Sequence, residues 1–164
     1  MRGGWGLRGE PLEVPISGRN ARRVIFGALN LRTGHRVLLP RERQRAGDFQ
    51  AFLRHVRSRY RRWPVAMLLD EDASHTAKAS VGLAEELQIE LLWLPKRAPE
   101  LNPIEALWGD GKDVVCAGHQ YESIDEQVQR FVAYLTGLSR DEALDKAGVR
   151  SRSLWLRAAL SKTF

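Results

Sequence analysis

The sequence predicts a single α/β domain with a mixed sheet, in which an antiparallel meander precedes a parallel strand–helix–strand unit and flanking helices. Three observations predict this fold class. Short apolar runs alternate with turn residues at the start of the chain. Apolar residues then recur at helical spacing, and two wholly apolar runs bracket a second helical segment. The length of 164 residues and the 43% hydrophobic content suit one globular domain over 1–164.

The predicted meander has three strands. Residues 12–16 alternate apolar side chains with polar or proline positions, which is typical of a half-buried strand. Residues 17–20 have turn chemistry and lead into the apolar run 24–29, which favours a buried strand. The turn at 32–34 then predicts a third strand over 36–39.

A helix is predicted after the meander. Asp48 is its expected N-cap, and Pro64 marks its end because proline cannot continue a helix. The opposite side of this helix is rich in arginine. Its apolar face recurs at spacings of three and four residues and consists of Phe49, Phe52, Leu53, Val56 and Tyr60.

The parallel unit is predicted from two apolar strands, 65–69 and 89–94, with a helix over 77–87 between them. Wholly apolar strands are expected where both faces of a sheet are covered. A polar loop over 96–101 leads to a helix that starts at residue 102. A serine followed three residues later by a glutamate predicts two further helices, which start at Ser123 and Ser139, with Gly148 as the final stop.

Charge is distributed unevenly along the chain. Residues 1–64 hold 15 Lys and Arg against 4 Asp and Glu, whereas residues 65–164 hold 11 against 16. A basic half suits a polyanion such as nucleic acid, and the alternative is an ordinary solvated arginine-rich face. The single cysteine, Cys116, excludes an internal disulfide and a multi-cysteine zinc site. With no apolar run of membrane-spanning length and no signal region, the sequence predicts the reducing cytoplasm.

Asp70 is the first candidate for chemistry, because it directly follows an apolar strand and ligands bind beyond the carboxyl ends of such strands. Glu71 and Asp72 come next, and three adjacent acids repel one another unless a cation is near. The pattern therefore points to a metal site. The alternative is that Asp70 caps a turn while the other two acids are solvated.

Glu105 is the second candidate, and it also has two interpretations. Asn102 as N-cap, Pro103 at the first helical position and Glu105 at the third form an ordinary capped helix start. Trp108 and Lys112 follow three and seven positions later, near the same face. A carboxylate, an aromatic ring and a cation on one face suit a site that holds metal and phosphate.

These residues lie in two segments, 68–76 and 94–108, that resemble the catalytic domain of insertion-sequence transposases of the mariner superfamily. In that family an Asp ends a strand, a His follows five residues later, and a Pro-Glu-Leu-Asn-Pro-Ile-Glu segment supplies a Glu after a gap of 34 residues. Asp70, His75 and Glu105 match these three features. The resemblance extends over essentially the whole chain and includes residues 26–30, 143–149 and 154–156.

The resemblance implies an RNase H-like fold and two-metal phosphoryl chemistry on DNA. Three carboxylates would hold two Mg²⁺ (or Mn²⁺) ions about 3.5–4 Å apart, with Asp70 as the second acid and Glu105 as the third. His75 would touch phosphate or a metal-bound water, or be a structural histidine at a helix start. Lys112 would contact phosphate or pair with Glu105. The DNA partners would be the ends of the transposable element and its target.

The chain departs from the family pattern in one respect. The family's first acid lies on the first strand, upstream of the segment that residues 4–9 resemble, so that first strand and its Asp are expected to be absent. We therefore expect an N-terminally truncated transposase domain: a gene remnant, a mis-assigned start, or a second reading frame whose upstream-frame product supplies the missing part. Such a chain would cut DNA weakly or not at all by itself, and its exposed sheet edge would favour self-association.

An alternative function is that of a catalytically inactive transposase remnant, which binds DNA through its basic N-terminal half. Arg57, Arg61 and Arg62 would then contact phosphate, and binding would fall steeply with salt. A third reading is an RNase H-fold interaction module without a nucleic-acid role. For the transposase, a homodimer and a location at the bacterial nucleoid are further expectations.

Overall fold

The computed structural model describes residues 22–96 and 98–156, and within them the predicted α/β class is confirmed. No helix in these ranges is both long and apolar enough to cross a bilayer. The strands are β1 (Val24–Leu29), β2 (Arg36–Arg41), β3 (Val65–Leu69) and β4 (Ile89–Trp93). The helices are α1 (Ala46–Arg59), α2 (Ala73–Thr76), α3 (Lys78–Glu86), α4 (Ile104–Gly111), α5 (Ile124–Gly137) and α6 (Arg140–Lys146). A 3₁₀ turn over Pro99–Leu101 precedes α4, and a π-helical turn over Lys112–Cys116 extends it.

β1 and β2 form an antiparallel hairpin. Its turn is closed by Asn30, whose side-chain oxygen accepts hydrogen bonds from the backbone of Arg32 and Thr33 at 3.0 and 2.9 Å. Gly34 follows with a φ of 70°, a left-handed conformation that glycine adopts without steric cost. The predicted hairpin is therefore confirmed. The strand and turn predicted over 12–20 lie outside the described residues.

β3 and β4 form the predicted parallel pair, with Val65 opposite Ile89 and Leu69 opposite Trp93. Among the described residues, no strand pairing joins this pair to the β1–β2 hairpin, so the single sheet of the prediction is here two separate two-stranded sheets. The expectation that β3 is covered on both faces is wrong. Only Leu69 of this strand is buried, because all five residues of β3 line an open cavity.

The hairpin lies between two layers of helix. Since neighbouring residues of a strand point to opposite faces, Phe26 packs on α1 whereas Ile25 packs towards α4 and α5. The layer on the α1 side also includes residues of β3 and β4. In it, the rings of Phe26 and Phe52 have centroids 5.8 Å apart. The second layer is built from Ile104, Leu107, Val115, Phe131, Leu135 and Ala147. The predicted apolar face of α1 is thus confirmed, with four of its five residues buried.

The start of α1 differs from the prediction, and one short helix was not predicted. Arg45, not Asp48, is the N-cap of α1. The Asp48 carboxylate lies one turn further on and accepts a hydrogen bond from the backbone N–H of Arg45 at 3.3 Å, so it closes the first turn from inside the helix. The helix predicted over 77–87 is confirmed as α3. A short helix that was not predicted, α2, precedes it and is capped by Asp72.

The two helices predicted from serine starts are confirmed. In α6 the Ser139 hydroxyl accepts from the backbone N–H of Glu142 at 3.1 Å, while the Glu142 carboxylate accepts from that of Ser139 at 2.7 Å. Gly148, with a φ of 68°, ends this helix as predicted. Arg36 then fixes the corner between α5 and α6, since its guanidinium donates to the backbone carbonyls of Leu135, Thr136, Leu138 and Ser139.

Candidate active site

A cavity of about 550 Å³ separates the two strand pairs. β1 and β3 form its sides, and apolar side chains of α1 and Trp108 of α4 also line it. Asp70 follows β3 directly, Glu105 lies in the first turn of α4, and both line this cavity. The structure therefore brings the two candidate carboxylates, distant in the sequence, to one place.

His75 determines the immediate surroundings of Asp70. Its Nδ1 lies 2.9 Å from the carboxylate Oδ1 of Asp70 and 3.1 Å from the backbone carbonyl oxygen of the same residue. The imidazole also contacts the ring of Phe49, with centroids 4.4 Å apart. Only 15% of the His75 side chain is exposed, against 66% for Asp70. The geometry favours His75 as a residue that positions Asp70, and it leaves the carboxylate accessible to a ligand.

Glu105 lies in surroundings that disfavour its negative charge. Partial burial raises the pKa of Glu105, the positive charge of Lys112 lowers it, and the negative charge of Asp70 raises it further. Lys112 itself is exposed at the end of α4. Asp70 is therefore close enough for its charge to oppose the ionisation of Glu105. A bound cation relieves such repulsion.

The predicted start of α4 is confirmed for its cap residue. Asn102 is extended (φ −92°, ψ 108°), whereas Pro103 already has helical angles (φ −58°, ψ −26°). The side-chain oxygen of Asn102 accepts a hydrogen bond from the backbone N–H of Ile104 at 3.4 Å. The backbone N–H of Asn102, however, donates to the carbonyl of Pro99 at 2.9 Å. The Glu105 carboxylate therefore does not form the second half of a capping box.

α4 is held against β1 by a contact that the sequence reading did not include. A methyl group built on Gly27 would lie 2.5 Å from Cη2 of Trp108, so the Trp108 ring lies directly over the glycine. Trp108 also stacks on Phe131 of α5, with centroids 5.9 Å apart. Because Glu105 lies one turn before Trp108, this packing fixes Glu105 relative to β1. The available signal was a glycine inside a predicted strand, which marks close approach.

The two acids next to Asp70 have structural partners. Glu71 forms an ion pair with Lys96 at 3.3 Å. Asp72 caps α2 and accepts hydrogen bonds from the backbone and hydroxyl of Ser74 at 2.8 and 2.6 Å. Burial opposes the charge of Asp72, but these bonds and the nearby His75 together lower its pKa. Neither acid is placed to substitute for a third ligand.

The donor set fits a hard divalent cation in kind, since Asp70 and Glu105 offer carboxylate oxygens. The number of these ligands, however, does not fit such a site. Within 22–96 and 98–156 no group of three or more His, Cys, Asp and Glu side chains could hold a metal ion. The described part of the chain therefore supplies two ligands of the kind that such a site requires.

The arginines predicted to bind DNA differ in their surroundings. Arg57 is part-buried and donates to the backbone carbonyls of Tyr60, Trp63 and Leu87 at 2.5, 2.7 and 3.3 Å, which favours a structural role over the predicted DNA contact. Arg61 and Arg62 are exposed. Next to them, the side chain of Trp63 is 66% exposed.

Comparison with known proteins gives both a family and relatives. The sequence profile described as DDE superfamily endonuclease matches residues 1–127 of the chain. An insertion element IS630 uncharacterized 39 kDa protein from Shigella sonnei is 23% identical over 137 residues, which cover 82% of this chain and 40% of that protein. The chain thus spans less than half the length of this curated relative.

Several solved structures share the fold. The catalytic domain of Mos1 mariner transposase has a TM-score of 0.56 at 21% identity, covering 69% of this chain and 60% of that chain. The Mos1 transposase paired-end complex with left transposon end has a TM-score of 0.68 at 18% identity, covering 98% of this chain and 50% of that chain. The predicted RNase H-like fold is confirmed by these neighbours. Because the family profile extends over more than three quarters of the sequence, this chain belongs to the DDE superfamily endonucleases.

Proposed function

We propose that this chain provides the catalytic domain of a transposase, over 1–164, that cuts DNA strands and joins them to a target with divalent metal ions. The supporting observation is that Asp70 and Glu105 line one cavity and that the charge of Asp70 opposes the ionisation of Glu105. Both would hold Mg²⁺ or Mn²⁺ through carboxylate oxygens, which hard cations prefer. When bound, two such ions supply charge for the attacking and the leaving oxygen of a phosphoryl transfer.

Other side chains of the domain would position the carboxylates and the DNA. His75 holds Asp70 through its Nδ1 contact. Lys112, whose charge acts on Glu105, would meet a DNA phosphate beside that carboxylate. Arg61 and Arg62 would contact the phosphate backbone, and the exposed ring of Trp63 offers a stacking surface for an unpaired base. The DNA would be element ends and target at the bacterial nucleoid.

Mn²⁺ binding to the full chain tests the metal site without requiring cleavage. The electron paramagnetic resonance signal of free Mn²⁺ falls as the ion binds. We expect Asp70→Asn and Glu105→Gln each to weaken binding about tenfold or more. Glu86→Gln, at the exposed end of α3, is the matched control and should bind as the wild type does. Equal affinity in all four proteins would overturn the metal site.

DNA cleavage by the isolated chain should be weak or absent, because the described residues bring together two carboxylates where the two-metal site that the resemblance implies uses three. Incubation of element-end DNA with Mg²⁺ or Mn²⁺ checks this expectation. Efficient cutting that is lost in Asp70→Ala would show that the chain carries a complete set of ligands.

A second candidate function is that of an inactive remnant that only binds DNA. It is favoured by the exposed positions of Arg61, Arg62 and Trp63. Arg61→Glu with Arg62→Glu should then abolish DNA binding, and wild-type affinity should fall steeply with salt in the absence of metal. Unchanged affinity in the double variant would exclude Arg61 and Arg62 as the DNA contacts. Absence of DNA binding by the wild type would leave an interaction module without a nucleic-acid role.

A further inference from the structure

The helix that carries Glu105 presents a second acidic side chain to the opposite side of the fold. Asp110 follows Glu105 by five residues, which places it about 140° further round the axis of α4. Glu105 lines the cavity, whereas Asp110 is directed towards α5 and α6. Asp110 thus lies outside the candidate active site but on the same eight-residue helix as one of its carboxylates.

Both oxygens of the Asp110 carboxylate accept a hydrogen bond. The Tyr134 hydroxyl of α5 donates to Oδ2, and the Lys146 ammonium at the end of α6 donates to Oδ1, each at 2.6 Å. Burial opposes the charge of Asp110, but these two bonds and the Lys146 charge together lower its pKa. The carboxylate is therefore ionised at neutral pH, and one side chain connects α4 to two other helices through charge-assisted hydrogen bonds.

The local sequence gives α4 little helical stability of its own. Asp110 lies between Gly109 and Gly111, and glycine is among the weakest helix formers. The helix has eight residues and passes directly into the π-helical turn over Lys112–Cys116. Helices of this length are marginal without tertiary contacts. The orientation of α4 therefore depends on the contacts that it makes with its neighbours.

Two kinds of contact act on α4. Ile104 and Leu107 are buried in an apolar cluster, and apolar burial is non-directional, so it tolerates some rotation of the helix about its axis. The hydrogen bonds of Asp110 are directional and weaken when donor and acceptor lose their alignment. Before the helix, the Leu101 carbonyl accepts from the Trp155 indole at 3.0 Å. The segment is thus held near both ends by the part of the chain that follows it.

We propose that Asp110 is a positioning residue of the candidate active site. Its bonds to Tyr134 and Lys146 fix the rotation of α4, and this rotation determines how the Glu105 carboxylate is directed into the cavity. Asp110 acts through the orientation of the helix and not through its charge, because the Lys146 ammonium neutralises that charge at 2.6 Å. The consequence for metal binding rests on the proposed function, whereas the consequence for the orientation of α4 does not.

Proton NMR of the full chain without metal measures the orientation of α4. The Trp108 ring lies over Gly27, and an aromatic ring this close displaces the chemical shifts of the Gly27 α-protons. Asp110→Ala removes both hydrogen bonds, whereas Tyr134→Phe removes one and keeps the aromatic ring. We expect both variants to move the Gly27 signals towards ordinary glycine values, Asp110→Ala further than Tyr134→Phe. Unmoved Gly27 signals in both variants would overturn the proposal.

Ser123→Ala separates positioning from general destabilisation. The Ser123 hydroxyl accepts from the backbone N–H of Glu126 at 3.1 Å and caps α5, the helix that also carries Tyr134. The variant loses one hydrogen bond of the fold, as Tyr134→Phe does, but leaves Asp110 and its partners intact. The Gly27 signals should therefore stay as in the wild type. Equal displacement in Ser123→Ala and Tyr134→Phe would show a merely structural role and overturn the proposal.

Mn²⁺ binding by the full chain connects the orientation of α4 to the Glu105 carboxylate. In the electron paramagnetic resonance assay, Tyr134→Phe should bind Mn²⁺ about threefold more weakly or worse, since a misplaced ligand lowers metal affinity. Ser123→Ala should bind as the wild type does. Displaced Gly27 signals with unaltered Mn²⁺ affinity in Tyr134→Phe would overturn the role of Asp110 in placing Glu105.

A double variant tests whether Tyr134 acts through Asp110. In the Asp110→Ala background the Tyr134 hydroxyl has lost its partner, so adding Tyr134→Phe should cause no further change in Mn²⁺ affinity or in the Gly27 signals. An equally large change in both backgrounds would overturn the proposed connection. If Asp110→Ala does not fold, the comparison of Tyr134→Phe with Ser123→Ala decides. If the wild type binds no Mn²⁺, the proposed metal site fails while the Gly27 signals still decide the role of Asp110, so the two proposals can fail separately.

Discussion

Replacing Gly27 with alanine should destabilise the chain and displace Glu105. The added methyl would lie 2.5 and 2.6 Å from two ring carbons of Trp108 and 3.0 Å from Cδ2 of Leu38. Overpacking of this kind costs about 1–3 kcal/mol. Alanine also restricts the unfolded chain, which offsets about 0.4–1 kcal/mol. The net loss in free energy of unfolding is therefore roughly 0–2.6 kcal/mol. We expect the upper half of this range, because both ring contacts are shorter than 3.0 Å.

Urea unfolding measures this loss as a lower midpoint at constant m-value. Gly82→Ala in α3 is the matched control, since a methyl there meets nothing within 4 Å. It should stabilise the chain by up to about 1 kcal/mol, because alanine is the better helix former. In a Trp108→Leu background the clash is relieved, and Gly27→Ala should cost less, with a coupling energy of about 0.5–3 kcal/mol.

The Mn²⁺ assay connects this packing to the site. Gly27→Ala should weaken Mn²⁺ binding, because it moves the helix that carries Glu105, whereas Gly82→Ala should leave binding unchanged. A neutral Gly27→Ala, or strict additivity with Trp108→Leu, would refute the close contact between β1 and α4. Destabilisation with unaltered Mn²⁺ affinity would refute its role in placing Glu105.

Three further substitutions test separate parts of the fold by urea unfolding. Arg57→Met should lower the free energy of unfolding by about 2–4 kcal/mol, because three carbonyls lose their donor. The control Arg54→Met, at an exposed position, should lower it by less than about 0.5 kcal/mol. An equally small loss in both variants would show that the Arg57 side chain lies in solvent. Ser139→Ala should lower the free energy of unfolding by about 1 kcal/mol, and Ser139→Asp should keep it near the wild-type value, because aspartate also caps a helix. No loss in the alanine variant would argue against the cap at Ser139. Burial and neighbouring arginines lower the pKa of His35 below 6.5, so the unfolded state binds more protons and stability should fall as pH falls through 6.5. This slope should flatten in His35→Gln, and an unchanged slope would exclude His35 as its source.

Elements governed by local patterns could be predicted from the sequence. The hairpin, the face of α1 and the helix starts at Ser123 and Ser139 each depend on residues within a few positions of one another. The prediction of β3 and β4 as a parallel pair also holds, because two apolar runs around a helix have few other ways to pack.

Features that depend on distant residues were not accessible in the same way. Nothing near Gly27 indicates that Trp108 covers it. The inward direction of Arg57 depends on carbonyls at the end of α1 and at Leu87, so an arginine-rich pattern could not distinguish it from Arg61. The capping interpretation holds for Asn102, whose side chain caps the helix. It does not hold for Glu105, because the backbone N–H of Asn102 donates to Pro99 of the preceding 3₁₀ turn instead.

The guanidinium of Arg36 has a consequence for the mobility of the whole C-terminal half. It donates hydrogen bonds to backbone carbonyls on both sides of the α5–α6 corner, where the negative end of the α5 dipole lies. A lysine there would keep the charge but lose the planar fork, and the corner could then swing as a hinge. Since α5 packs on α4 through Phe131 and Trp108, a movement of this corner, which is remote from the cavity, would also displace the carboxylate of Glu105 on α4.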